Sequence, residues 1–170
     1  RLDEEMTKFL LWFETDSKLD PVLKAGIAHL WFVTIHPFED GNGRIARAIA
    51  DMALARADGT SSRFYSMSRQ IEQERKAYYT QLERQQKSSI DITSWLSWFL
   101  HCFLRAVVNA EDTLSSVLFK AELWNRINPD PMNDRQRLII NRMLDNFKGH
   151  MTTSKYAKLV KCSSDTALRD

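Results

Sequence analysis

Twelve consecutive residues, His36-Pro37-Phe38-Glu39-Asp40-Gly41-Asn42-Gly43-Arg44-Ile45-Ala46-Arg47, hold the side chains whose types and spacing could do chemistry. Two of the chain's five glycines, Gly41 and Gly43, fall here, on a loop that enters a helix. Glycine lets a backbone approach a ligand closely and adopt positive φ. The free N–H groups of a helix start, at the positive end of its dipole, favour an anion and phosphate in particular. Arg44 and Arg47, three residues apart, share a helix face above that N-terminus, and arginine grips phosphate oxygens in bidentate fashion. Asp40 offers the hard oxygen that Mg²⁺ prefers when it also holds substrate phosphates. His36 is the side chain best suited to accept a proton near neutral pH. Together these groups describe a phosphate site for a nucleotide, with a metal ligand and a general base. No Gly-x4-Gly-Lys-Ser/Thr or Gly-x-Gly-x-x-Gly string occurs, so neither a P-loop nor a dinucleotide fingerprint accounts for it.

The elements that position this loop are helical. Asp20-Pro21 is a helix start, since Asp caps orphan N–H groups and Pro suits the first helical position. Val22 to Ile35 is apolar on nearly all sides, which predicts a central buried helix that stops ahead of His36-Pro37. Arg44 to about Ala57 predicts a second buried helix ending at Asp58-Gly59, and Ser68 to Gln86 a third. Leu2, Met6, Phe9, Leu10 and Phe13 form an amphipathic stripe before them. A long pattern from Asp91 or Thr93 places Trp95, Trp98, Phe99, Cys102, Phe103, Ala106, Val107, Leu114, Val117, Leu118 and Ala121 at steps of three and four. Strand-like alternation is missing, and the expected class is all-α.

The texture changes at Asn128-Pro129-Asp130-Pro131, a linker or sharp turn. Residues 133–170 hold 8 Lys/Arg against 4 Asp/Glu, while the whole chain of 170 residues has a formal charge of +2. Three short helices are expected there, from Asp134 to Phe147, from Thr152/Thr153 through Val160, and from Ser163/Ser164, in a helix-turn-helix or winged-helix-like module. The expected domains are therefore 1–128 and 129–170. Only Cys102 and Cys162 are present, without a Cys-x-x-Cys, which excludes a disulfide framework or zinc ribbon and suggests a reducing cytosol. No apolar run is long enough for a membrane span, and a membrane partner is not expected. The chain reads as a piece of a longer protein.

The motif resembles the signature of Fic domains, His-Pro-Phe-x-Asp-Gly-Asn-Gly-Arg-x-x-Arg. These are all-helical enzymes that transfer a nucleotide moiety, usually AMP from ATP, to protein hydroxyls. The resemblance extends over most of residues 5–125, and the tail resembles the winged-helix appendage of many bacterial Fic proteins. It implies that His36 takes the proton from a Ser, Thr or Tyr hydroxyl of a target protein or of the chain itself. Asp40 would hold Mg²⁺, or Mn²⁺, on the α- and β-phosphates. Gly41, Asn42 and Gly43 would cradle the anion, with Asn42 at the α-phosphate and Phe38 a buried anchor of the loop. Arg44 and Arg47 would grip the β/γ end, and Ile45 and Ala46 complete the nucleotide-binding segment between them. Tyr78 and Tyr79 match positions that contact the nucleoside, and Gln86 falls on the adenine side.

The resemblance also implies a β-hairpin flap and an inhibitory Ser/Thr-x-x-x-Glu helix. Neither is found in residues 1–35, so both are expected upstream of Arg1, and the string Ser68 to Glu72 is read as coincidence. The expected activity is Mg²⁺- and ATP-dependent protein adenylyl transfer with release of pyrophosphate. Removal of AMP, transfer of UMP, phosphate or phosphocholine, and DNA binding through the basic tail are the alternatives. A homodimer is plausible from the aromatic-rich helices. Outside the motif, His29 among apolar neighbours reads as a core histidine; Trp31, Trp95, Trp98 and Trp124 read as packing, and Glu39 as a surface residue.

Overall fold

The computed structural model describes residues 1–15, 18–59, 63–87, 90–127, 132–145 and 147–170. Every regular element among them is a helix: α1 (Leu2–Glu14), α2 (Pro21–Ile35), α3 (Asn42–Asp58), α4 (Met67–Gln73), α5 (Arg75–Lys87), α6 (Thr93–Ile127), α7 (Asp134–Leu144), α8 (Thr153–Val160) and α9 (Ser164–Arg169). The all-α expectation holds. No helix among the described residues is long and apolar enough to cross a membrane. The chain divides into two compact units, Arg1–Leu114 and Ser115–Asp170, so that α6 contributes to both. The Pro-rich stretch 128–131, where the sequence suggests a boundary, lies outside the described residues.

In the first unit the buried helix is α2, whose Ala25, Gly26, Ala28, His29, Leu30, Phe32 and Val33 are all buried. Asp20 starts it as expected, its Oδ1 accepting from the N–H groups of Val22 at 2.9 Å and Leu23 at 3.1 Å. Small residues let neighbouring helices come close. A β-carbon on Gly26 would stand 2.9 Å from Phe99 Cδ1, and Trp95 Nε1 donates to the Gly26 carbonyl at 2.9 Å. The core around this crossing includes Trp95, Phe99 and Cys102 from α6 and Ala46, Ala50 and Leu54 from α3. Burying each large apolar side chain contributes about 1.5–3 kcal/mol. From α1, Phe9 and Phe13 pack into the core, with Phe9 edge-on to Trp31 at 5.6 Å. Leu2 and Leu10, expected in the same stripe, are about half exposed, because the buried seam runs through the i, i+4 pair of phenylalanines and Leu10 faces away from it.

The single helix expected over Ser68 to Gln86 is two helices, α4 and α5, broken at Glu74. At the break, Glu74 makes a tertiary contact. Arg105 of α6 holds the Glu74 carboxylate through Nε at 2.6 Å and Nη2 at 2.5 Å, and Gln70 Nε2 donates to it at 2.6 Å. The Arg105 bond holds the Glu74 carboxyl below its usual pKa, against the opposing effect of burial. Ser66 caps α4, accepting from Arg69 N–H at 3.2 Å. Ahead of it, Asp51 of α3 accepts from Arg63 Nη2 and Ser68 Oγ, each at 3.0 Å.

In the second unit the three short helices fall close to where the sequence places them, α7 ending at Leu144 rather than Phe147. Asn133 and Gln136 form a reciprocal capping box, and Thr152 and Ser163 cap α8 and α9. Lys120 pairs with Asp145, and Trp124 Nε1 donates to Asn141 Oδ1 at 3.0 Å. The Asp170 carboxylate accepts from Arg135 Nε at 2.6 Å, Asn133 Nδ2 at 2.8 Å and the Tyr156 hydroxyl at 3.1 Å. The bond from Arg135 leads in pulling its pKa down to about 2. Both cysteines are free thiols, and burial pushes that of Cys102 up to about 12.

Candidate functional site

The loop between α2 and α3 is shaped by its own residues. His36 ends α2 in the left-handed conformation, φ 52° and ψ 56°, with its N–H bonded to the Phe32 carbonyl at 3.1 Å. A non-glycine residue in that region is uncommon and costs energy that the surroundings must offset. Here the closing bond to Phe32 and the Pro37 that follows hold the turn. Gly41, at φ 84°, is the residue before α3 and is where glycine's freedom is required. Gly43 has no such need, being the second residue of α3 with helical backbone.

Asn42 is the internal clasp. It is 2% exposed, its Oδ1 accepts from Phe38 N–H at 3.0 Å, and its Nδ2 donates to the Phe38 carbonyl at 2.5 Å. Both ends of the amide thus serve the loop backbone. Phe38, expected as a buried anchor, is 51% exposed, since Asn42 already fixes the turn through the Phe38 main chain.

Around the loop lies a cavity of about 730 Å³. His36, Asp40, Gly41, Asn42, Gly43, Arg44 and Arg47 line it from one side, and Tyr78, Tyr79 and Gln86 line it from α5. Residues separated by as much as 50 positions in the chain are brought to one concavity. Ile45 and Ala46 do not line it: Ala46 is fully buried and Ile45 packs partly buried on the core. Val33, Glu39, Leu82 and Glu83 line it as well, without having been singled out as ligand contacts. Glu83 and Gln86 stand four and seven residues after Tyr79, a helical spacing that could have pointed to one face of α5.

The two sides of the cavity differ in solvation. On the rim, His36 is exposed, and Arg44 Nη2 pairs with Asp40 Oδ2 at 3.0 Å with both side chains largely in solvent. On the inner wall, Tyr78 is 2% exposed and its hydroxyl stands 3.0 Å from His29 Nε2. Arg47 bears on that hydroxyl from the cavity side through its charge. Burial nonetheless pushes the phenol up to about 12, and burial, with Arg47 nearby, drops His29 to about 3. His29 is therefore a neutral core residue, as its neighbours in the sequence suggest, but one in contact with the wall of the site.

The donor set at Asp40 bears on metal binding. Its carboxylate is exposed on the cavity, and no group of three His, Cys, Asp or Glu gathers anywhere among the described residues. Without such a group no ion is caged by protein alone, but the Asp40 carboxylate suits Mg²⁺, which keeps waters and completes its shell with substrate phosphates.

A β-carbon added to Gly43 would meet Arg47 Nη1 and the Tyr78 hydroxyl, each at 3.8 Å, which is ordinary contact distance. The fold could accept a side chain there, and the place it would fill is the cavity beside the first turn of α3. The first N–H groups of that turn have no intrahelical acceptors. A bare helix N-terminus, an arginine at its side and an open space the size of a methyl group between them is the geometry of an anion cradle.

Comparison with known proteins bears on the same segment. The Fic/DOC family matches residues 1–54. Protein adenylyltransferase fic-1 of Caenorhabditis elegans is 39% identical over 56 residues, 32% of this chain and 11% of that protein. Protein adenylyltransferase Fic of Drosophila melanogaster is 44% identical over 54 residues, 31% of this chain and 11% of that protein. The chain thus spans about a tenth of the length of the curated relatives it matches. The match takes in α1, α2, the loop and most of α3, and leaves out α5. Over residues 1–54, with the whole of the loop inside it, this chain carries a segment that matches the Fic/DOC family.

Proposed function

We propose that the cavity binds ATP and that the chain transfers AMP to a Ser, Thr or Tyr hydroxyl of a target protein, or of itself, releasing pyrophosphate. The observation that carries this reading is the single cavity in which His36, Asp40, the open first turn of α3 and Arg47 converge. The names of the relatives, which are adenylyltransferases, support it over the part of the chain they match.

The reaction is an in-line displacement at the α-phosphorus. The hydroxyl oxygen forms a bond to phosphorus, its proton passes to a ring nitrogen of His36, and the bond from the α-phosphorus to the bridging oxygen of pyrophosphate breaks. His36 suits the base because it sits at the exposed edge of the cavity, where a protein hydroxyl can reach it. The N–H groups at the start of α3 meet the α-phosphate, and Arg47 and Arg44 face the β/γ end, where charge accumulates on the leaving group. Arg44 must exchange its bond to Asp40 for the phosphates, and that exchange costs little, since both partners are in water. Asp40 would hold Mg²⁺ together with the phosphates, and the ion would supply charge neutralisation for the departing pyrophosphate. Tyr79, about half exposed with Arg75 5.7 Å from its ring, gives the cavity a flat apolar face for the base.

ATP labelled at the α-phosphate, incubated with Mg²⁺, the protein and a cell extract, should leave label on protein. The same ATP labelled at the γ-phosphate should leave none, and His36→Ala should abolish the α-label. Transfer from the γ-position would replace this reading with phosphorylation.

A further inference from the structure

The second unit, Ser115–Asp170, takes no part in the proposed chemistry, and its charges are unevenly paired. Of the 8 Lys/Arg in residues 133–170, only Arg135 forms an ion pair among the described residues, whereas of the 4 Asp/Glu both Asp145 and Asp170 do. The other seven cations are all exposed, against the two carboxylates of Asp134 and Asp165. An unpaired excess of one sign in one small unit favours a partner of the opposite charge. Three of these cations, Lys155, Lys158 and Lys161, stand at i, i+3 and i+6 along α8 and its end. Tyr156 is buried and Leu159 and Val160 are partly buried on the other side of α8, so the lysines share its outward face.

The backbone around these lysines is two short helices joined by a tight turn. α8 ends at Val160, the turn is Lys161-Cys162-Ser163, and α9 starts at Ser164 under the Ser163 cap. α8 packs on both α7 and α9. A helix, a turn of three residues and a second helix is the arrangement that lays one helix across a DNA backbone and the next in the major groove. Lys161 adopts φ 53° and ψ 50°, the left-handed region that suits glycine and costs any other residue energy. Its N–H and that of Cys162 both reach the Ala157 carbonyl, the latter at 3.1 Å, so glycine would close the turn equally well. A lysine held there serves for its charge. On α9, Ser164, Asp165, Leu168 and Arg169 are exposed, Leu168 at 76%. These groups match what base edges present: Arg169 a guanine, Leu168 a thymine methyl, Asp165 a cytosine amine. We propose that the second unit binds duplex DNA, with Lys155, Lys158 and Lys161 on phosphates and the exposed face of α9 in the major groove. Lys155 Nζ, which donates to the His150 carbonyl at 3.0 Å, keeps its other N–H groups for a phosphate.

The test is the fluorescence anisotropy of a labelled, random-sequence DNA duplex titrated with the full chain over a range of salt. With three lysines on phosphates, affinity should fall roughly 40-fold between about 50 and about 200 mM salt, a log–log slope of about −2.7. Lys161→Gly should be at least as stable to heat as wild type, since glycine accepts the left-handed turn without strain. It should nevertheless bind more weakly, with the slope shallower by about 1. Lys158→Gln should shift the slope by the same amount. Lys76→Gln, which removes an exposed charge from α5 in the other unit, should change neither affinity nor slope. The single strand of the same sequence, which offers no groove, should bind severalfold more weakly than the duplex. No binding at low salt, an unchanged slope in Lys161→Gly and Lys158→Gln, an equal effect of Lys76→Gln, or equal affinity for the single strand would each overturn the proposal. His36→Ala should bind the duplex as wild type does, so DNA binding and AMP transfer stand or fall separately.

Discussion

The rim and the inner wall of the cavity are both built from polar residues, yet they are held by opposite means. On the rim, Asp40 and Arg44 pair at 3.0 Å with 92% and 74% of their side chains exposed. Water competes for every such contact, and a pair of this kind adds between nothing and about 1 kcal/mol to stability. On the wall, Arg47, only three residues further along the same helix, abuts a phenol that is itself pinned by a buried histidine. The difference teaches how one short motif can supply both a mobile and a fixed cation. The register of α3 turns one arginine to solvent and the other toward the core, and the packing of α5 does the rest. A rim that can rearrange suits groups that must exchange partners when a ligand arrives. A wall that cannot suits a group that must already be in place.

Substitutions on the two sides should separate chemistry from stability. The largest effect is expected on the rim: His36→Ala should lower AMP transfer by ~10²–10⁴-fold, the usual contribution of a general base. Its ATP affinity should stay near that of wild type, and a matching fall in affinity would show His36 to be a binding residue instead.

The wall should reveal itself through pH. His29 has its pKa lowered from 6.5 to about 3, so between those values the unfolded chain binds the proton and the native state does not. Stability supplied by neutral His29 is fully present above pH 6.5 and is lost as pH falls, at up to ~1.4 kcal/mol per unit. Denaturant titrations of wild type and His29→Gln from pH 7 to pH 4 should show that slope in the first and its removal in the second. Parallel slopes would mean that His29 is protonated or exposed in the native state.

Packing behind the wall is the next measure. Gly26→Ala would place a β-carbon 2.9 Å from Phe99 Cδ1, and overpacking of this kind costs about 1–3 kcal/mol. A chemical denaturation curve unchanged from wild type would show that α2 and α6 can part without loss. The smallest effect returns to the rim. Asp40→Ala should leave the melting temperature within about a degree or two, as expected for an exposed pair, while it removes the Mg²⁺ dependence of ATP binding. A large loss of stability would contradict the solvent-exposed geometry of that pair.

Much of the rim was legible in the sequence because its logic is local. Asp20-Pro21 starts α2 and His36-Pro37 stops it, each through a rule about a residue and its immediate neighbours, whereas α3 begins at Asn42, two residues before the Arg44 that the sequence suggests. The wall was not legible in the same way. His29 and Tyr78 are 49 residues apart, and no spacing rule joins them; only the packing of α5 beside α3 does. Tyr78 lines the cavity, as the resemblance implies, and its hydroxyl also reaches back into the core to His29. The contact at Glu74, between α4 and α5, is hidden for the same reason, since its partner Arg105 lies 31 residues away on α6. Phe38 departs from the buried anchor that the resemblance implies, because here its main chain, held by Asn42, does the fixing.

Gly43→Ala tests most directly the claim that the first turn of α3 is an anion cradle. Its β-carbon would fit the fold at 3.8 Å from both Arg47 and Tyr78, at a helical position where Ala is favoured over Gly by up to about 1 kcal/mol. The account predicts a protein at least as stable as wild type that binds Mg²⁺ and ATP at least tenfold more weakly in a calorimetric titration, since the added methyl takes the space of the phosphate. Undiminished ATP affinity in a folded Gly43→Ala protein would contradict it.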